Sequence, residues 1–187
     1  MKMFQRWTIN TIILALFFAF GSGQSLSHAA SAAEIDAEVA VAMEQLHASS
    51  QAAVELSSVA KGVLIFPDVI KAGLLVGAQY GHGALLINDM TVGYYNTVAA
   101  SYGLQAGAQS FGYAMLLMTD KALSYLKSSS GWEVGVGPSV VVVDKGVAKS
   151  LTTTTAKDDV YVFFFDHKGL MAGLGIQGSK ITQIQPD

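Results

Sequence analysis

The chain has 187 residues, with 11 Lys plus Arg against 14 Asp plus Glu, a net charge of −3 and no cysteine. That length supports one domain with a sizeable core, and an apolar fraction of 51% with only 13% charged residues excludes a largely disordered chain. The acidic balance argues against a nucleic-acid partner, which needs a basic face. The lack of cysteine excludes disulfides, thiolate metal sites, a thiol nucleophile and lipidation on cysteine.

In chain order, residues 1–32 read as a secretory signal peptide. Lys2 and Arg6 form a positive start, Ile12–Phe20 an apolar stretch, and Ser27/Ala29 or Ala30/Ala32 a small-residue cleavage site. The apolar stretch is shorter than the ~20 residues of a spanning helix, though an uncleaved anchor is the other reading. Without a twin arginine, the general secretory route is expected. Cleavage removes Lys2 and Arg6 and no acid, taking the charge from −3 to −5, which weighs against simple polybasic attraction to anionic lipid. An exported chain without disulfides suits a bacterial periplasm. Residues 33–187 are then expected to form a single domain.

Ser31 to about Ala60 reads as helical. Ser31 and Glu34 have capping-box spacing, and Ile35, Val39, Met43 and Leu46 recur as one apolar stripe. "HASS" at His47–Ser50 breaks the run, and a second helix is expected over about Gln51–Ala60. Glu34, Asp36, Glu38 and Glu44 around the first helix oppose a membrane-surface role, since such helices carry Lys and Arg. A helical pair packed on the core is expected instead.

From Gly62 the pattern changes to short runs of Val, Tyr, Phe and Thr split by Gly, Asn and Asp. Strands are expected near Ala72–Ile87, Thr91–Ala100, Tyr102–Met118, Glu133–Asp144, Ala148–Thr155, Val160–Phe165 and Leu170–Ile184. Turns are expected at "INDM", "VVDKGV" and "FDHKGL", the last with Gly169 at positive φ. A short helix interrupts at "TDKALSYLKSSSGW", capped by Thr119 and ended by Gly131. The fold class is α+β: a mainly antiparallel β-sheet, curved or barrel-like, with an N-terminal helical pair and one short inserted helix.

Glycine is concentrated in "KAGLLVGAQYGHG", "YGLQAGAQSFGY" and "AGLGIQGSK". No Walker loop is present. The formal G-x-G-x-x-G at Gly173, Gly175 and Gly178 has only nine residues after it, too few for the helix and strand of a dinucleotide site. Strand parity instead puts Gly73, Gly77, Gln79, Gly81 and Gly83 on one face, as it does Gly103, Gln105, Gly107 and Gln109, and Gly173, Gly175 and Gln177. Two explanations fit such a bare face. Either the strands bend or another group presses on the backbone, or a ligand groove is lined by Gln79, Gln105, Gln109 and Gln177.

No catalytic residue is assigned. "AQSFG" around Ser110 has a nucleophile-elbow look, with Asp144, Asp158 or Asp159, and His167 in serine-hydrolase order, but that elbow needs a large parallel α/β sheet. His82 and Asp89 are too few for a metal. No metal and no cofactor are expected.

Four stretches, "AKGVLIFPDVIKAGLLVGAQYGHGAL", "TVGYYNTVAASYGLQAGAQS", "LLMTDKALSYLKSSSGWEVGVGPSV" and "KGLMAGLGIQGSKITQI", together resemble the SYLF-domain family, specifically its secreted bacterial lipid-binding branch, from about Ile35 to Ile184. The resemblance implies a single, non-catalytic domain that binds phospholipid or a membrane surface, here of the bacterial envelope. A structural or protein-interaction module of the envelope is the alternative. Lys61, Lys71, Lys168 and Lys180 lie inside the resembling motifs and are candidate headgroup contacts. Phe66, Trp132, Leu170 and Met171 are candidate apolar anchors at turns or strand ends. Neither the lipid nor the oligomeric state follows from the sequence.

Overall fold

The computed structural model describes residues 30–73, 76–102, 107–128, 130–169, 176 and 178–187. Residues 1–29 of the expected signal peptide lie outside them, as do Gln105, Leu170, Met171 and Gln177. No helix among the described residues is long and apolar enough to cross a membrane.

Helix α1 (Ala32–Ser49) starts where the capping box predicts. The Glu34 amide donates to the Ser31 hydroxyl, and the Ser31 amide donates to the Glu34 carboxylate at 2.8 Å. Ile35, Val39, Ala42 and Leu46 form its buried stripe. Ser50 ends α1 and caps α2 (Gln51–Ser57) through a bond from the Ala53 amide, so "HASS" is a break as expected.

One eight-stranded sheet follows, built from β1 (Gly62–Gly73), β2 (Val76–Ile87), β3 (Met90–Tyr102), β4 (Gly107–Leu117), β5 (Trp132–Glu133), β6 (Val140–Val143), β7 (Val160–Gly169) and β8 (Lys180–Ile184), in the order β5-β8-β3-β2-β1-β4-β7-β6. Helix α3 (Asp120–Ser128) joins β4 to β5, and α4 (Lys145–Ala148) joins β6 to β7. All pairings are antiparallel except β6 with β7. The α+β, mainly antiparallel, strongly curled sheet matches the expected class.

Several boundaries differ from expectation. "GVLIFPDV" is the first half of β1, because Pro67 sits in a bulge where its missing N–H is harmless. The run from Glu133 to Asp144 is not one strand: Gly135 and Gly137 take positive φ and turn the chain before β6. Ala148–Thr155 is not a strand; Asp144 accepts from the Gly146 and Val147 amides and starts α4 instead of a hairpin turn. The "FDHKG" of that expected turn, Phe165–Gly169, lies inside β7, and a left-handed residue there is Asp166, at φ 47°. "INDM" is a turn as read, with Asn88 and Asp89 both at positive φ.

The curl is measured by one hydrogen bond. Tyr113 on β4 donates to Thr97 on β3 at 2.9 Å, although β1 and β2 lie between them. In a flat sheet those strands would be roughly 14 Å apart. The face carrying Tyr113 is therefore concave, and it encloses Leu64, Phe66, Val69, Leu85, Phe111, Met115, Trp132 and Ile181. The convex face packs Val63, Ile65, Ala84, Leu86, Ala114 and Phe163 against α1 and α2. Polar groups clasp α1 there: Asp36 accepts from the hydroxyls of Thr91 (2.8 Å) and Tyr94 (3.0 Å), and Glu38 pairs with His82 at 3.2 Å. The acids that speak against a membrane role for α1 thus hold it to the sheet.

Candidate functional site

A crease crosses the four central strands. The register slips between Phe66 and Val69 on β1, and between Ser110 and Gly112 where β4 meets β7 at Asp166. Glycines stand beside it because β1, or for Gly112 the Phe165 ring of β7, closes over them. A Cβ at Gly83 would lie 2.0 Å from the Ile65 carbonyl oxygen, one at Gly81 would lie 2.7 Å from Val69, and one at Gly112 would strike the Phe165 ring at 2.2 Å. At these positions the bare face results from bending and close approach.

Beyond the crease the sheet runs on as a flap: the end of β1, the starts of β2 and β4, and the ends of β3 and β7. Paired residues in a sheet share a face, so the register defines its two surfaces row by row. On the convex side one row reads Glu133, Lys180, Val98, Tyr80, Ile70, Ser110, Lys168 across seven strands. Its centre is apolar and open to solvent, with Ile70 56%, Tyr80 54% and Val98 45% exposed. The next row outward, Ala100, Ala78, Ala72 and Ala108, is also exposed and uncharged.

On the concave side the corresponding row places Gln79 and Gln109 on either side of Lys71. Both glutamines are shut from water, at 4% and 3% exposure. The Gln109 Oε1 lies 3.1 Å from His167 Nε2; since that oxygen only accepts, His167 donates. Among the described residues, the Nε2 groups of Gln79 and Gln109 have no hydrogen-bond partner. A buried donor left unpaired costs about 1–3 kcal/mol, so two in one row mark a place where packing alone does not explain the residue type.

The other candidate residues are scattered. Lys168 is exposed and bonded to Asp166 at 2.8 Å, which raises its amine above the ordinary lysine value. Lys180 is exposed on β8, its stem lying over Gly131. Lys61 lies at the other end of β1, 4.0 Å from Asp120. Phe66 and Trp132 are fully buried: Phe66 stacks on Tyr113 at 4.9 Å, and the Trp132 indole donates to the Val136 carbonyl. They are core residues, not surface anchors, because the bulge and the β5–β8 pairing turn them inward. Sequence reasoning missed Ile70, Tyr80 and Val98, whose alternation with the glycine face was the available signal. His82 pairs with Glu38 rather than Asp89. Ser110 is on the convex face, while His167 reaches Gln109 on the concave one and Asp144 caps α4. Among the described residues no cluster of His, Asp or Glu has the makings of a metal site.

No curated protein matches this chain. The family model described as Ysc84, Las17-binding protein actin regulator, matches residues 98–186, which covers the second half of the flap from Val98 and all of β4 to β8. This match finds a Ysc84 (SYLF) family domain over residues 98–186, consistent with the SYLF resemblance of the sequence motifs.

Proposed function

We propose that this protein is an exported, non-catalytic lipid-binding domain of the bacterial envelope that rests on phospholipid through the convex face of its flap. The observation that carries the reading is the exposed row Val98–Tyr80–Ile70 with Lys180 and Lys168 beside it. Burying large apolar side chains in a bilayer interface is worth about 1.5–3 kcal/mol each when complete, and a lysine near an anionic surface adds about 1 kcal/mol. The charged α1, by contrast, is engaged with the sheet through Asp36 and Glu38.

The test is flotation with phosphatidylglycerol vesicles. The wild-type chain is expected to float at low salt, and Ile70→Ser/Tyr80→Ser to remain at the bottom of the gradient with unchanged thermal stability. Equal flotation of both proteins, or none by the wild type, overturns this reading. A second reading, a protein-interaction module of the envelope, draws on the family description as Las17-binding. It predicts a stoichiometric protein partner on lipid-free native material.

A further inference from the structure

We propose that the pocket between the helical pair and the β2–β3 turn binds a small alkylammonium ion. The pocket holds about 440 Å³, within the range of small-ligand sites. Its floor is apolar: Met43 of α1, Val54 of α2, Val63 of β1 and Leu86 of β2. Ser58, Asn88 and Asp89 at its rim are exposed, so a solute can enter. Most polar groups on the wall are acceptors. The Ser57 hydroxyl donates to the Val54 carbonyl at 3.0 Å, and the Ser58 hydroxyl donates to the Glu55 carbonyl at 2.7 Å. A hydroxyl has one proton, so both oxygens can only accept from a ligand. His47 Nε2 lies 3.1 Å from Ser57 Oγ. With the Ser57 proton spent on Val54, that ring nitrogen donates, which makes Nδ1 of the neutral ring an acceptor. The same arrangement leaves Ser57 without a base to take its proton, so the pair is not a nucleophile with its activator.

Asp89 supplies the charge. Among the described residues no cation lies within 4 Å of its carboxylate, and no Lys or Arg lines the pocket. Lys61, between the lining residues Ala60 and Gly62, pairs instead with Asp120 at 4.0 Å. One carboxylate, several neutral acceptors and an apolar floor fit a single positive charge that carries several N–H donors on a short hydrocarbon body. A primary ammonium has three such donors. An anion would face Asp89 with no cation to offset it, and a neutral hydrocarbon would leave the carboxylate unused. Seven positions of β1 separate Val63 in the pocket from Ile70 on the flap, roughly 20 Å along the strand. A lipid held against the flap therefore cannot bring its headgroup here. The inference goes beyond the lipid reading, does not rest on it, and names a soluble amine.

The experiment follows the backbone amide resonances of Ser58, Asn88 and Asp89 in the ¹⁵N-labelled wild-type chain during titration with hexylammonium chloride. Sodium hexanoate, with the same chain and the opposite charge, and methylammonium chloride, with the charge and no chain, are the comparisons. Hexylammonium is expected to shift all three amides saturably, with a Kd of about millimolar for so small a ligand. Hexanoate and methylammonium are expected to leave them in place at the same concentrations. Asp89→Asn removes the charge and keeps a residue that tolerates the φ of 60° at this turn. It is expected to melt with the wild type and to bind hexylammonium about fivefold more weakly, and the wild-type affinity is expected to fall as salt rises. No saturable shift with hexylammonium overturns the site. Equal shifts with hexanoate, or equal affinity in a folded Asp89→Asn chain, overturn it as well. Should that variant melt much lower, the hexanoate and salt comparisons on the wild type decide: a response indifferent to both charge and salt overturns the proposal, and one that needs the ammonium and weakens with salt upholds it.

Discussion

The Tyr113 hydroxyl donates to Thr97 Oγ1 at 2.9 Å across a concave face that two other strands separate. Burial holds the Tyr113 phenol well above its ordinary titration range, so it remains a donor at any ordinary pH. Tyr113→Phe removes the donor and leaves the Thr97 oxygen, on a side chain shut from solvent, without it. The expected loss is about 1–2 kcal/mol, read as a lower urea midpoint with an unchanged slope. A midpoint equal to wild type would mean that the curl does not depend on this bond.

Glycines in the crease and outside it respond differently. Gly83→Ala drives a methyl into the Ile65 carbonyl, which belongs to backbone and cannot step aside, and costs about 3 kcal/mol. Gly93→Ala meets only ordinary contacts at 3.4 Å and is expected within about 0.5 kcal/mol of wild type. Thermal melts of the two variants side by side decide the point.

Asp159 ties three segments together. It accepts from Lys121 and Thr119 at the start of α3 and from the Ser139 amide ahead of β6. The Lys121 bond, then those from Ser139 and Thr119, lower its carboxyl from 3.8 to about 2. Because the folded value is depressed, this stability is complete above the unfolded value and is lost as pH falls from about 4 through about 2. The contribution is about 1–2 kcal/mol, and Asp159→Asn removes it. Urea midpoints of wild type and variant should differ near neutral pH and converge in that acid window. A constant gap across the window would contradict the assignment.

Lys180 and Lys168 flank the same apolar row, and among the described residues it is Lys168 that has a carboxylate within 4 Å, Asp166. Lys180→Ala is expected to weaken binding to phosphatidylglycerol vesicles about fivefold at low salt, with the difference fading as salt screens the surface. Lys168→Ala should cost less, since Asp166 already offsets its charge. Titration at two ionic strengths checks both the size and the ordering.

Local patterns carried much of this protein in the sequence itself. The Ser31–Glu34 box, the "HASS" break, the Asn88–Asp89 turn and the Thr119 cap involve residues within a few positions of one another, so short-range geometry is enough to read them. The parity of Gly81, Gly83 and Gln79 was equally legible, because a strand alternates faces whatever surrounds it. Parity does not say which face is concave. That follows from cross-strand register and bulges, which bring Ile65 onto Gly83, send Phe66 and Trp132 inward, leave Ile70 and Tyr80 in the open, and set Gln79 and Gln109 around Lys71. Those relationships join residues far apart in the chain, 38 positions for Lys71 and Gln109, and arise only when the strands pair. The sequence alone thus determined a helical pair, a curved antiparallel sheet and a glycine-marked face. The tertiary structure decided that this face bends inward at a crease and ends in a buried row of amides, because only pairing and burial assign each residue its neighbours.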